Sequence, residues 1–127
     1  MKKLLSILSL FILLLTSCVQ EIHTKTIHFK FNTNAFKNVN TVSVKGDFSK
    51  NKWNEPVFLK DKDKDGIYEA VIIFETAKNT MNFKFLVNED FELKDKDNRT
   101  IRLDYKPEIV FYSAIFNDAE KVKIEKQ

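Results

Sequence analysis

From residue 26 onward the chain alternates apolar and polar residues with a period of two. Ile27, Phe29 and Phe31 alternate with Thr26, His28 and Lys30, and Val42 and Val44 alternate with Thr41, Ser43 and Lys45. Met81, Phe83, Phe85 and Val87 alternate with Asn82, Lys84 and Asn88, and Phe91 and Leu93 follow a polar corner at Asn88 to Asp90. Successive side chains of an extended strand point to opposite faces, so each run predicts a strand with one face in a core and one in water. No segment keeps helical spacing for long. The segments 67–74 and 109–116 are apolar on both faces, which predicts strands at the centre of a sheet or covered on both sides. About seven short strands in roughly 90 residues predict an all-β, immunoglobulin-like sandwich.

Composition agrees with one small domain. Twelve phenylalanines in 127 residues can fill a core, while two glycines and two prolines leave little room for linkers. Gly46 follows the Val42/Val44 strand and Gly66 closes an Asp-rich turn, the places where a missing Cβ is useful.

The start of the chain reads as an address. Lys2 and Lys3 precede an apolar run from Leu4 to Leu15 that only Ser6 and Ser9 interrupt. Spanning a bilayer takes roughly 20 apolar residues, so the run is too short to span and suits the apolar part of an export signal. It ends in Leu15-Thr16-Ser17-Cys18, which resembles the lipobox of bacterial lipoproteins. The resemblance implies a diacylglycerol on the Cys18 thiol, cleavage just before it and an acylated new N-terminus. Thr16 and Ser17 are small, as a tight protease site requires, and Cys18 is the only cysteine. The expected organisation is a signal peptide at 1–17, a lipidated tether at 18–25, a sandwich at 26–116 and a charged tail at 117–127 with room for a last strand at Val122–Ile124. The expected location is the bacterial cell envelope, anchored to a membrane, with the outer membrane favoured and the leaflet open. Without Lys2 and Lys3 the net charge falls from +3 to +1, which gives no reason to propose nucleic acid as a partner.

Several motifs fall in a definite order. Val44-Lys45-Gly46-Asp47-Phe48 leads to Trp53-Asn54, Pro56 and Leu59; Asp65-Gly66-Ile67-Tyr68 follows, then Phe83-Lys84-Phe85-Leu86-Val87-Asn88 and Phe91. Over roughly residues 40 to 97 this order resembles the family-48 carbohydrate-binding modules, which include the glycogen-binding domain of the AMP-activated kinase β subunit. The resemblance implies an early-set immunoglobulin-like sandwich with a shallow site for α-glucan chains. In such a site flat aromatic rings meet the C–H face of glucose and polar side chains bond its hydroxyls. Position by position, Trp53 matches the first aromatic platform, Lys84 the lysine that bonds sugar hydroxyls, and Phe91 the second platform. The sequence departs from the family pattern in three places. The Phe48–Trp53 loop is longer, Phe91 stands where good binders have tryptophan, and the later Leu-x-Thr-x-Asn stretch is missing.

Each of these residues also has a structural reading. Trp53 suits a ligand platform or the closing of one end of the sandwich. Lys84 alternates with Phe83 and Phe85 as a surface lysine would, and Phe91 suits the core. Asp61, Asp63 and Asp65 open like a calcium loop of the EF-hand kind, but its twelfth position is Ile72, which cannot coordinate. The turn is therefore expected to be a solvated hairpin, with no metal and no cofactor. His23 and His28 have no cysteine or carboxylate cluster at metal-ligand spacing. No nucleophile elbow or phosphate-cradling glycine loop occurs, so no enzyme is expected. The function expected is non-catalytic binding of an α-glucan or related oligosaccharide at the envelope. The alternative is an envelope lipoprotein that uses the same sandwich for protein contacts, its sugar site lost.

Overall fold

The computed structural model describes residues 1–13 and 20–127. Lys2–Leu13 forms a helix, and no helix among the described residues is long and apolar enough to cross a membrane. Leu15, Thr16, Ser17 and the expected lipidation site Cys18 lie outside the described residues.

The rest is strand, turn and a single 3-10 turn at Lys52–Asn54. The strands are β1 (His23–Asn32), β2 (Val42–Gly46), β3 (Val57–Leu59), β4 (Ile67–Thr76), β5 (Thr80–Val87), β6 (Asp90–Phe91), β7 (Arg99–Arg102), β8 (Glu108–Ile115) and β9 (Asp118–Lys126). One sheet has the order β4-β1-β8-β9, with β1 and β8 parallel. The other has the order β3-β2-β5, with β6 and β7 dividing the far edge of β5 between them. The all-β sandwich expected from the period-two alternation is what the chain forms.

Its core is where the alternation puts it. Ile27, Phe29 and Phe31 of β1, with Val110 and Tyr112 of β8, face Val42, Val44, Met81, Phe83 and Phe85 of the other sheet, and all are buried. The phenylalanines interlock: Phe31 stacks on Phe85 at 4.0 Å, and Phe83 meets Tyr112 edge-on at 4.9 Å. Each such side chain contributes roughly 1.5–3 kcal/mol by leaving water. Gly46 sits where β2 and β5 press together. A Cβ there would lie 2.7 Å from Phe83 Cβ and 2.5 Å from the Asn82 carbonyl oxygen.

Three expectations need correction. Segment 67–74, apolar on both faces, is neither central nor covered. It lies within edge strand β4, which pairs with β1 alone apart from one bridge to Lys60, and Val71 and Ile73 point into solvent at 53% and 70% exposure. Residues 118–126, expected as a charged tail with room for a strand at Val122–Ile124 only, form the whole of β9. It pairs with β8 along its length, Val122 packs against the core, and its exposed lysines and glutamates discourage further pairing at the edge. The strand expected from residue 26 begins at His23, so Lys25 belongs to the sandwich rather than the tether. Its buried ammonium donates to the carbonyls of Asp104 and Lys106 and to Glu108 Oε1 at 3.3 Å, which gives each of its three N–H groups an acceptor.

A second buried ion pair lies across the core. Arg99 grips Glu92 through Nε at 2.7 Å and Nη2 at 2.8 Å, the second N–H of Nη2 faces the carbonyls of Ile115 and Asp118, and Nη1 donates to Tyr112 Oη. Burial opposes the charge on Arg99. The hydrogen bonds and charge of Glu92 outweigh that and hold its pKa above the ordinary value.

Candidate functional site

Residues on the outward face of the β3-β2-β5 sheet alternate with the core residues, so register decides who meets whom. Ser43 lies opposite Phe58 on one side and Leu86 on the other, and Leu86 lies opposite Phe91. One step along, Lys45 lies opposite Lys84, and beyond β5 Asn82 lies opposite Thr100. The face therefore carries exposed aromatic rings, Phe58 at 58% and Phe91 at 47% exposure, beside two lysines.

Trp53 reaches this face from the loop between β2 and β3. The 3-10 turn around it is closed by the Asn54 N–H donating to the Asn51 carbonyl at 3.2 Å. Its indole N–H donates to Asp47 Oδ1 at 3.2 Å, while Asp47 Oδ2 accepts the Asn82 N–H at 3.1 Å. One carboxylate thus ties the loop and the indole to the edge of β5. The half-buried indole comes to rest 6.3 Å from the Phe91 ring, with the two planes at 52°. The Lys45 ammonium lies 5.7 Å from the centroid of the same Phe91 ring, within cation–π range. Trp53 and Phe91 are brought together, with Phe91 exposed rather than in the core.

Lys84 shares the face but is engaged elsewhere. Its ammonium donates to the carbonyls of Leu93 at 3.0 Å and Lys96 at 2.9 Å. These bonds clasp the loop between β6 and β7, in which Leu93 and Asp95 have φ of 49° and 62°. Of three donors, one is left for a ligand. Asp47 and Lys45 were not singled out from sequence. The signals were the Asp in Gly46-Asp47-Phe48 and the outward position of Lys45 beside Val44.

The acidic turn lies elsewhere. Asp61, Asp63 and Asp65 bring one carboxylate oxygen each within 4.8 Å of the others. Asp61, however, uses both oxygens on the chain itself, accepting the N–H of Asp65 at 3.1 Å and of Gly66 at 2.9 Å. Burial opposes its charge, but these N–H groups prevail and hold its pKa below the ordinary value. Asp63 is helped by a backbone hydrogen bond of its own, yet burial and the charge of Asp65 raise its pKa. Ile72 is buried in the core. The cluster is built as a turn, with Gly66 at φ +83° closing it. The histidines are also apart: His23 meets Tyr105 edge-on at 4.9 Å, and His28 stacks on Phe111 at 4.6 Å.

The Trp53–Phe91 face offers flat apolar surfaces, ammonium donors and an adjacent carboxylate, a set that suits holding a ligand by stacking and hydrogen bonds. No family model matches the sequence, and no curated protein matches it. Among solved structures the chain is similar to two modules of the β/α-amylase of Paenibacillus polymyxa. CBM25-2 is 11% identical with a TM-score of 0.49, over 83% of this chain and 94% of that one. CBM25-1 is 13% identical with a TM-score of 0.48, over 86% and 96%.

Proposed function

We propose that this chain is a lipid-anchored, non-catalytic module that binds α-glucan at the bacterial cell envelope. The observation that carries the reading is the pairing of Trp53 with Phe91 on one outward face, the two positions at which the sequence resembles a carbohydrate-binding module with aromatic platforms. Rings inclined at 52° cannot lie flat against one straight ribbon of sugars. They suit successive units of a chain that turns, as an α-linked glucan does. Lys45, seated on Phe91, has its ammonium beside the rings, where it can donate to sugar hydroxyls. The anchor is supported by the Leu15-Thr16-Ser17-Cys18 motif after its apolar run. Acyl chains contribute about 0.8 kcal/mol per buried methylene, so two or more hold a protein on a membrane stably. Anchored there, the module would keep captured polysaccharide close to the cell surface.

Two measurements test the two halves. Retention of the protein on insoluble glycogen and starch tests the glucan site, and loss of retention in Trp53→Ala assigns it. Mass spectrometry of membrane-extracted protein tests the anchor: a lipid-modified N-terminal Cys18 is expected, and an unmodified soluble chain contradicts it.

A further inference from the structure

The sandwich has a second outward face, on the β4-β1-β8-β9 sheet, and part of it is apolar. Register sets the residues in rows across the strands. Ile73, Thr26 and Ile109 form one row, and Val71, His28 and Phe111 form the next. Ile73, Val71 and Ile109 are 70%, 53% and 38% exposed, and the His28 ring lies stacked on Phe111. Charges flank these rows: exposed Glu75 lies opposite Thr24 on the entry side, Glu125 lies opposite Phe111 and meets Lys123 at 2.8 Å, and Lys30 meets Glu69 at 3.4 Å in the next row. Segment 67–74 has the composition of a strand covered on both sides, yet the domain covers only one.

The position of this face relative to the chain start says what covers it. The Ile73–Thr26–Ile109 row lies three residues into β1, at the end of the sheet where the chain enters. The entry is pinned short of the strand, because the Glu21 N–H donates to Tyr105 Oη at 2.6 Å. Only three residue steps separate Glu21 from Cys18, which at roughly 3.5 Å each span about 10 Å at full stretch. Ile22, between the pin and the strand, is 65% exposed. A lipid on Cys18 would therefore hold this end of the sandwich against the headgroups, with no linker to let it stand away.

We propose that the outward face of the β4-β1-β8-β9 sheet rests on the lipid surface that holds the anchor, with Ile73, Ile109, Val71 and Ile22 entering the interface. This rests on the anchored reading of Cys18. The apolar rows lose contact with water there, while the lysines at the margin keep their ammonium groups among the headgroups. The Trp53–Phe91 pair then lies on the opposite face of the sandwich, away from the bilayer. The two outward faces divide the work, one toward lipid and one toward polysaccharide.

The test uses the mature acylated protein in vesicles of phosphatidylethanolamine and phosphatidylglycerol. With Cys18 acylated, Ile73→Cys and Thr100→Cys each supply one free thiol, on the two opposite faces, for an environment-sensitive fluorophore. Lipids carrying a spin label near the headgroup should quench the probe at position 73 several-fold more than the probe at position 100. Adding Ile109→Glu should reduce quenching at position 73 while the acylated mass of Cys18 and the circular dichroism stay unchanged. Equal quenching at both positions contradicts the proposal. So does a position-73 probe shielded from water but not quenched by lipid, since a second copy or another protein then covers the face. An unmodified Cys18 in the same preparation identifies a failure of the anchor instead, and removes the orientation with it.

Discussion

The Trp53 indole and the Phe91 ring lie 6.3 Å apart, centroid to centroid, although one sits in the loop between β2 and β3, the other in β6, and 38 positions separate them in the chain. Neither is placed by the core. Trp53 is oriented by Asp47, which also caps the edge of β5, and Phe91 by the two-residue pairing of β6 with Leu86 and Val87. The aromatic pair thus depends on β5, the strand whose inward side carries Met81, Phe83 and Phe85. The buried face of β5 keeps the sheet rigid, and its outward face carries what a ligand would meet.

Lys84 is where stability and binding separate. Because its ammonium holds the carbonyls of Leu93 and Lys96, Lys84→Ala should act first on the loop. Hydrogen bonds from a charged donor contribute roughly 1.5–3 kcal/mol each, and less at a partly exposed site such as this. Native-state hydrogen exchange should show faster exchange of the Lys96 amide, with a small fall in global stability. Weakened glycogen retention with unchanged exchange at Lys96 would instead give Lys84 a direct ligand role.

The Glu92–Arg99 pair makes a stronger demand. Both side chains are nearly fully buried, and Glu92 also accepts the N–H groups of Phe85 and Asn117. Arg99→Met leaves that carboxylate without its counter-charge. Removing one partner of a buried pair costs about 3–5 kcal/mol, so the urea midpoint should fall sharply. Glu92→Gln combined with Arg99→Met should cost less than the sum of the two single changes. A loss below about 1 kcal/mol for Arg99→Met would mean that water reaches the pair.

Tyr112 supplies a pH test. Burial raises its phenol pKa above the usual value near 10, and the Arg99 guanidinium, 3.4 Å away, offsets this only in part. A group whose folded pKa is raised adds stability below its unfolded pKa and loses it as pH climbs through the folded value. Wild type should therefore lose stability faster than Tyr112→Phe above about pH 10. In a near-ultraviolet titration, the step that Tyr112→Phe removes should lie above the ordinary tyrosine range. Identical alkaline stability curves for the two proteins would contradict this.

The sequence made some of this architecture plain and concealed the rest for physical reasons. β1, β2 and β5 were legible because their core residues recur at every second position, although Ser43 and Leu86 on the other side are buried as well. β9 was legible only in the short stretch Val122–Ile124, because the rest of this edge strand has little apolar burial to signal it: Val122 packs on the core while Ile124 stays 44% exposed. β4 misled because its outward Val71 and Ile73 read as packed residues. Nothing in the sequence pattern marks Lys25, Glu92 and Arg99 as buried, because it is the folded chain that brings their acceptors and counter-charges to them. The motif order paired Trp53 with Phe91, and the structure brings the two rings together on one outward face. It did not indicate that Asp47 orients the indole, or that Lys84 spends two donors on its own chain.

The central claim is that the Trp53–Phe91 face holds α-glucan, and sedimentation of the protein with insoluble glycogen tests it most directly. Wild type should be retained. By analogy with other aromatic stacking sites, Trp53→Ala should lose on the order of 1–3 kcal/mol, roughly ten- to hundredfold in affinity. Its melting temperature should stay close to that of wild type, as expected of a half-exposed side chain outside the core. Phe91→Trp, with a larger ring, should tighten binding. Wild-type protein that stays in the supernatant with glycogen, starch and maltooligosaccharides alike, or a Trp53→Ala variant that is folded and fully retained, would contradict the account.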